Sequence, residues 1–173
     1  LVKVFSTQGF SAILPMAKYF FTVLFVLFFH AAVVYSGMLK LFTGLNPLTF
    51  IKKFKEVLVF AFSTASSNAT IPLNLETVEH KMGVDKSVSS FVIPFGATIN
   101  MDGTAIMQGV AVVFVAQAYG ITLGLSQYLM VILTATLASI GTAGVPGVGL
   151  IMLAMVLQQV GLPVEGIALI IGV

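Results

Sequence analysis

The sequence has no cysteine, no tryptophan and few charged residues. Only 8% of its 173 residues are charged, whereas a soluble domain carries about 25%. Without cysteine, the chain forms neither a disulfide framework nor a thiolate metal site. Hydrophobic residues make up 58% of the chain, which excludes disorder, and a net charge of +2 is too small for a nucleic-acid-binding protein. The composition indicates an integral membrane protein or a part of one.

The few charges are clustered, and they divide the chain into uncharged stretches. The first complete stretch separates Lys18 from Lys40 and contains 21 uncharged residues. A helix of this length spans roughly 30 Å, which is enough for one membrane crossing. The pattern therefore predicts a transmembrane helix over residues 12–42.

A second uncharged stretch, residues 57–75, is interrupted by serine, threonine, asparagine and then proline between residues 63 and 72. Such a run makes a poor continuous helix. Lysines stand on both sides of this stretch, and lysine-rich loops favour the cytoplasm. We therefore expect a re-entrant hairpin that enters and leaves on one side, with a serine-rich tip.

The second half of the chain carries a single charge, Asp102, between residues 87 and 164. Residues 87–119 are too long for one straight crossing, and the Asp-Gly turn signal at 102–103 breaks them. They are predicted to form a broken transmembrane helix with an unwound centre at 100–104. In residues 128–160, two apolar arms flank a glycine-rich tip, which predicts a second re-entrant hairpin. Residues 166–173 are expected to begin a final helix that the chain end truncates.

These interrupted segments occur in corresponding positions, which is typical of secondary transporters with inverted repeats. Irregular backbone at membrane depth is tolerated only where it is buried in protein or lines a wet cavity. The expected fold is therefore an all-α polytopic membrane protein. It combines transmembrane helices, a broken helix and two oppositely oriented re-entrant hairpins whose tips meet at one site.

The isolated carboxylate Asp102 points to cation binding. A carboxylate at mid-membrane is costly unless it is paired, protonated or bound to a cation. Na⁺ is a hard cation that prefers oxygen ligands, which Asn100, Asp102 and unwound carbonyls supply; the alternative is a structural pair with a lysine or a backbone amide. Four hydroxyls could add ligands, although a lone hydroxyl more often bonds its own helix turn: Thr98, Thr104, Ser139 and Thr142.

The two tips leave several interpretations open. The serine-rich tip fits a flexible turn, an N-glycosylation acceptor at Asn68-Ala69-Thr70, or a group of hydroxyls and helix-end amides that binds a carboxylate. The glycine-rich tip fits close helix packing or a mobile lid. Motifs of the form His-Glu-x-x-His and Gly-x-Ser-x-Gly are absent, which argues against an enzyme, while a channel remains an alternative on composition.

Three segments, residues 63–72, 100–104 and 138–147, resemble the signature motifs of the glutamate transporter family, the dicarboxylate/amino acid:cation symporters. The resemblance covers most of the chain from Leu14 onward. It implies the sixth helix, first hairpin, broken seventh helix and second hairpin of that family. These elements form part of a moving transport domain, which works by an elevator motion in a homotrimer of the plasma or inner membrane.

The resemblance also implies roles for individual residues. Substrate would be contacted by Ser66, Ser67, Thr104, Gly144 and Val145. Na⁺ would be held by side chains or backbone of Gly96, Thr98, Asn100, Met101, Asp102, Ser139, Ile140 and Thr142. Ala65 stands where some members carry Arg. Gln108 stands where proton-coupled animal members carry Glu, so its neutral amide argues against that proton site, and the intact 100–104 motif favours Na⁺ over H⁺ coupling.

The expected function is therefore Na⁺-coupled symport of an acidic amino acid (glutamate or aspartate) or a dicarboxylate by alternating access. The expected partners are the carboxylate substrate, Na⁺, the lipid bilayer and two further copies of the full-length chain. A neutral amino acid exchanger of the same family is an alternative, and so is a channel-like or structural membrane subunit. The family's early scaffold helices and its eighth helix have no counterpart in the sequence, so we expect a fragment of a longer protein.

Overall fold

The computed structural model describes residues 13–171, and these residues form helices joined by short loops, with no strand among them. The all-α prediction is thus confirmed for this part of the chain, whereas the re-entrant placement of the hairpins stays a prediction. Residue 12 of the expected first helix and residues 172–173 of the expected last one lie outside the described residues. The helices are α1 (Ile13–Phe29), a π-helical segment (His30–Tyr35), α2 (Ser36–Thr43), α3 (Pro47–Thr64), α4 (Ser67–Met82), α5 (Lys86–Ile99), α6 (Asp102–Ala118), α7 (Leu125–Ile140), α8 (Val148–Gln159) and a 3₁₀-helix (Val164–Leu169).

Within residues 13–171, two helical stretches are long and apolar enough to cross a membrane, judged by length and composition. They are Leu14–Thr43, with 30 residues, and Lys86–Ala118, with 33 residues. The first stretch exposes large apolar side chains such as Phe21, Phe25 and Phe28. Exposed apolar surface of this extent is typical of a helix that faces lipid or another protein segment.

The helices of the first hairpin are longer than the apolar stretch 57–75, because local capping signals set their ends. The Asn46 side chain accepts a hydrogen bond from the Leu48 N–H at 2.9 Å, and Pro47 occupies the first helical position of α3, an arrangement that favours helix initiation. Gly83 ends α4 in the left-handed conformation (φ 74°), which glycine adopts without steric cost. The charged and polar residues before position 57 therefore belong to α3, and those after position 75 belong to α4.

The last segment differs from the expected start of a long helix. A 3₁₀-helix covers Val164–Leu169 and gives way to a turn at Ile170. The arms of the second hairpin are unequal, since α7 has 16 residues and α8 has 12.

The described chain divides into two compact units, which we treat separately. The first contains residues 13–28, 102–139 and 149–171. Its core is formed where α6 meets α8, and it includes the fully buried side chains of Val112, Val115, Leu153 and Leu157. The small residue Ala111 is also fully buried in this core.

The second unit contains residues 29–101 and 140–148. Here α3 packs on α4 and α4 packs on α5. The end of α4 that lies away from the serine-rich loop is joined to the middle of α3, because Lys81 Nζ and Glu56 Oε2 form an ion pair at 2.5 Å. The Lys53 ammonium also donates to the Lys81 carbonyl at 2.9 Å, so polar contacts hold the end of α4 against α3.

Candidate functional site

The serine-rich loop between α3 and α4 reverses the chain within two residues. Ala65 adopts the left-handed conformation (φ 46°, ψ 32°), and it is the only non-glycine residue with positive φ in the described part of the chain. Ser66 is extended (φ −138°, ψ 113°), and its hydroxyl accepts a hydrogen bond from the Ala69 N–H at 3.2 Å. Ser66 is thus the N-cap of α4, a position that serine favours.

The glycine-rich loop contacts this N-cap within the second unit. The Ser66 hydroxyl donates to the Gly144 carbonyl at 2.7 Å, and the Asn68 N–H donates to the same oxygen at 3.1 Å. A Cβ on Gly144 would lie 2.8 Å from Asn68 Oδ1 and 3.1 Å from Ser67 Cβ. The predicted meeting of the two loops is therefore confirmed for these residues, and it depends on glycine at position 144.

Ser67 links the serine-rich loop to the break between α5 and α6. Its hydroxyl lies 4.0 Å from the Met101 sulfur, a distance suited to a weak hydrogen bond to sulfur. Four residues predicted to serve the site are thus brought together inside the second unit: Ser66, Ser67, Met101 and Gly144.

The break between α5 and α6 is shorter than the sequence suggested. Only Asn100 and Met101 lie outside the helices, and α6 already begins at Asp102. The expectation of an unwound stretch over 100–104 is therefore corrected, since Asp102, Gly103 and Thr104 are helical. A carboxylate in the first turn is favoured by the positive end of the helix dipole, which accounts for the early start of α6.

The backbone around this break offers oxygen atoms to a cation. Asn100 has φ −110° and ψ 75°, and its N–H donates to the Gly96 carbonyl at 2.9 Å. The last carbonyls of a helix lack partners in the helix itself, so the end of α5 supplies hard oxygen donors beside the Asn100 side chain. No cluster of three His, Cys, Asp or Glu side chains occurs in residues 13–171. This donor chemistry fits Na⁺ better than a transition metal.

Two of the predicted hydroxyl ligands donate to their own helices. Thr98 Oγ1 donates to the Pro94 carbonyl at 3.1 Å, and Ser139 Oγ donates to the Thr136 carbonyl at 2.8 Å. Both hydroxyl protons are taken up by hydrogen bonds within the helix, whereas the oxygen lone pairs are still able to face a cation. Thr142 is buried, while the side chains of Ile140 and Val145 are exposed.

The predicted site residues fall into both compact units. Asp102, Thr104 and Ser139 belong to the first unit, and the remaining predicted residues belong to the second. In the first unit, Thr104 packs beside the start of α8, since a Cβ on Gly149 would lie 3.1 Å from Thr104 Cγ2.

The sequence does not predict the contacts of two residues, Asn68 and Gln108. Asn68 stands in the sequence only as part of a possible glycosylation motif, yet its backbone and side chain both adjoin Gly144. Gln108 is fully buried and donates through Nε2 to the Gly149 carbonyl at 3.1 Å. The signal for the second contact is a glutamine surrounded by apolar residues in the middle of α6, whereas nothing near Asn68 indicates a residue so distant in the sequence.

The structure combines apolar helices of membrane length with helix pairs whose polar and glycine-rich loops meet. These features are compatible with a helical membrane transporter. The family model described as the sodium:dicarboxylate symporter family matches residues 1–173. The chain belongs to this family, whose members are transporters and not enzymes.

Individual relatives agree with the family model. The chain is 44% identical over 158 residues to an excitatory amino acid transporter of Caenorhabditis elegans, covering 91% of this chain and 31% of that protein. It is also 44% identical to excitatory amino acid transporter 1 of Homo sapiens, with 91% and 29% coverage. Neutral amino acid transporter A of Bos taurus is 40% identical, with 91% and 30% coverage. The chain thus spans about 30% of the length of these relatives.

Proposed function

We propose that this chain is the substrate- and ion-binding part of a longer multi-pass membrane transporter. That transporter couples Na⁺ entry to the uptake of an acidic amino acid or a dicarboxylate by alternating access. Membership of the sodium:dicarboxylate symporter family supports the coupling. The observation that carries the proposal is the convergence of Ser66, Asn68 and Gly144 at the start of α4.

The start of α4 has the chemistry that a carboxylate needs. The positive end of the helix dipole lies there. The donors proposed for the carboxylate are the Ser66 hydroxyl and the Asn68 N–H, which in the structure donate to the Gly144 carbonyl, together with the Ser67 hydroxyl. The proposed substrate contacts are Ser66, Ser67, Thr104, Gly144 and Val145. Tyr, Arg or Lys side chains are not required for this anchoring, because N–H and O–H donors suffice for a carboxylate.

Na⁺ is proposed to bind around the break between α5 and α6 and at the end of α7. The proposed donors are Gly96, Thr98, Asn100, Met101, Asp102, Ser139, Ile140 and Thr142. Since closure of the glycine-rich loop would require both ligands, Na⁺ and substrate would raise each other's affinity by the same factor. We further propose that the full-length protein works as a homotrimer in the cell membrane, with an elevator motion of the transport domain.

A neutral amino acid transporter of the same family is the second candidate. Ala65 offers no cation to an acidic side chain of the substrate, and the bovine relative named a neutral amino acid transporter is nearly as similar as the excitatory ones. The α-carboxylate of a neutral amino acid would bind the same hydrogen-bond donors at the start of α4 as that of an acidic one.

Uptake by the full-length protein in liposomes tests both candidates. We expect labelled aspartate to enter with an inward Na⁺ gradient and not with choline. Asp102→Asn should abolish the Na⁺ dependence of substrate binding, whereas Glu165→Gln, the same neutralisation at an exposed acid, should preserve it. Uptake indifferent to Na⁺ would overturn the coupling, unchanged binding in Asp102→Asn would make Asp102 structural, and a preference for labelled serine over aspartate would favour the neutral candidate.

A further inference from the structure

The turn between α2 and α3 exposes large apolar side chains at the end of a membrane-length helix. The 30-residue stretch Leu14–Thr43 ends at this turn, where Gly44 adopts the left-handed conformation (φ 70°) and Asn46 caps α3. Five large apolar side chains around the turn are 45–79% exposed: Leu41, Phe42, Leu45, Leu48 and Ile51. Apolar side chains exposed beside the end of a membrane span favour the boundary between headgroups and acyl chains over water.

The same turn is basic, and we call residues 40–55 the α2–α3 corner. It contains four lysines and no acidic residue, and Glu56, which follows it, pairs with Lys81. Lysine-rich segments beside a membrane span favour the cytoplasmic side, whose leaflet carries anionic lipids that attract them. The charge of the corner is therefore complementary to an anionic lipid headgroup.

Two lysines of the corner share one exposed face of α3 with apolar side chains. The four residues are exposed and follow the spacing i, i+3, i+4 and i+7, which places side chains on one face of a helix: Leu48, Ile51, Lys52 and Lys55. Lys53 lies outside this set, and its ammonium donates to the Lys81 carbonyl of α4 at 2.9 Å. Lys52 and Lys55 are thus neighbours on successive turns of the helix, close enough for both ammonium groups to contact one phosphate.

We propose that the α2–α3 corner binds an anionic phospholipid, whose phosphate is held by Lys52 and Lys55. The acyl chains lie against the exposed apolar side chains of the corner, of which Leu48 and Ile51 adjoin the two lysines. The bound lipid holds the start of α3 at the depth of the headgroups. The proposal rests on the part of the proposed function that places the chain in a membrane, and it requires neither Na⁺ nor a carboxylate substrate.

Another segment of the longer protein is the competing occupant of this face, because the chain spans about 30% of the length of its relatives. An apolar segment would bury the ammonium groups of Lys52 and Lys55 without a partner, which is costly. A lipid leaves both ammonium groups at the headgroups while its acyl chains cover the apolar side chains. The two lysines therefore favour the lipid.

Fluorescence quenching by labelled lipid tests the corner locally. A fluorophore attached to Leu45→Cys, in the full-length protein without other cysteines, reports on lipid at the corner because Leu45 is 57% exposed. The protein is placed in phosphatidylcholine vesicles that contain a small fraction of phosphatidylglycerol or of phosphatidylcholine with a nitroxide on one acyl chain. We expect phosphatidylglycerol to bind about 25-fold more tightly than phosphatidylcholine, since each lysine near an anionic surface contributes about fivefold.

Replacing both lysines should remove this preference. Lys52→Gln with Lys55→Gln should lower the ratio of the two binding constants from about 25 to about 1, whereas Lys52→Arg with Lys55→Arg keeps both charges and should preserve it. Lys53→Gln is the matched control, since it removes the same charge from the same helix but away from this face, and it should leave the ratio nearly unchanged. A loss in Lys53→Gln as large as in Lys52→Gln alone would indicate a diffuse attraction by the whole basic region and would overturn the proposed site.

Two further results would also overturn the lipid site. One is equal quenching by the two lipids in the original protein, and the other is no quenching by either lipid, which would show that another protein segment covers the face. Binding of labelled aspartate is measured on the same samples. A protein that prefers phosphatidylglycerol but binds no aspartate with Na⁺ would refute the proposed function alone, while aspartate binding without the lipid preference would refute the lipid site alone.

Discussion

The Gln108 amide donates through Nε2 to the Gly149 carbonyl at 3.1 Å, joining the middle of α6 to the start of α8 in the first unit. Gly149 permits this approach because its Cβ position lies 3.1 Å from Thr104 Cγ2 and 3.3 Å from Met107 Cε. The other amide atom, Gln108 Oε1, is buried and has no hydrogen-bond partner among the described residues. A polar group is thus only half satisfied in a fully buried position.

Replacing Gln108 by Met should leave the protein as stable or more stable by about 1 kcal/mol. The change loses one hydrogen bond, worth about 1 kcal/mol, but it removes an unpartnered acceptor whose burial costs about 1–3 kcal/mol. Thermal unfolding of the full-length protein in detergent measures the difference. Gln117→Met, at an exposed position of the same helix, is the control and should change little. A loss above about 2 kcal/mol in Gln108→Met would show that Oε1 has a partner outside residues 13–171.

Local signals in the sequence located the interruptions between helices better than the outer ends of the helices. The serine-rich run before Pro72, the Asp-Gly pair at 102–103 and the glycines after Ser139 all stand at or beside interruptions. Caps such as Asn46 and Asp85 act through the next few residues, so their effect is readable from neighbouring positions. The start of α6 at Asp102 is not predicted from the sequence, because an aspartate before glycine is equally typical of a turn and of the first turn of a helix.

Contacts between distant loops were less accessible to sequence reasoning. The sequence predicted that the loops meet. It did not identify the Gly144 carbonyl as the acceptor or the Asn68 N–H as a donor, because residues of almost any type can make a main-chain hydrogen bond. The left-handed conformation of Ala65 was equally hidden, since alanine has no preference for it. The position of Gln108 in its helix was visible, but its partner 41 residues away was not.

Ala65→Gly should stabilise the protein by about 1 kcal/mol. The left-handed conformation of Ala65 (φ 46°) costs an L-residue roughly 1–2 kcal/mol that glycine avoids, and part of this gain is offset by the greater freedom of glycine in the unfolded chain. The same substitution four residues earlier, Ala61→Gly inside α3, should destabilise by about 1 kcal/mol. Paired melting curves of the two variants give the comparison, and shifts of the same sign would contradict the strain at Ala65.

The ion pair between Glu56 in the middle of α3 and Lys81 near the end of α4 predicts a pH dependence of stability. The hydrogen bond from Lys81, together with its charge, lowers the pKa of Glu56 below its ordinary value. A carboxylate with a lowered pKa adds stability above its unfolded-state pKa, and this stability is lost as the pH falls through the folded-state pKa. The stability difference between the original protein and Glu56→Gln should therefore be present at pH 7, begin to fall near the ordinary glutamate pKa of about 4.3, and vanish once the pH is below the folded-state pKa.

Both members of this pair are exposed, so the difference should be small and should shrink as salt is added. Melting temperatures of the two proteins, measured across pH 3–7 at low and high salt, test this. Glu76→Gln, at an exposed acid elsewhere on α4, is the control for the loss of a negative charge. A difference that persists at the lowest pH would mean that Glu56 acts through packing instead of charge.

Gly166→Ala should be among the more damaging single-methyl changes in the first unit. Its Cβ position lies 2.5 Å from Val115 Cγ1 and 2.9 Å from Cγ2, and Val115 is fully buried with a stiff, β-branched side chain. Because neither side chain nor helix can yield without disturbing the core, the added methyl should cost about 1–3 kcal/mol. Gly109→Ala, in the same helix as Val115 but with nothing within 4 Å of its Cβ, should be neutral or slightly stabilising.

The same clash predicts a specific rescue, because Val115→Ala removes both γ-methyl groups that the Gly166→Ala methyl would meet. Val115→Ala alone should destabilise through a cavity. Adding Gly166→Ala to that variant should cost about 1 kcal/mol less than adding it to the original protein, since contacting residues are energetically coupled. A double-mutant cycle of unfolding free energies measures this coupling. Strict additivity would mean that the 3₁₀-helix does not pack on α6 in the membrane-embedded protein, and the loss caused by Gly166→Ala would then have to arise from the backbone of residues 164–169 themselves.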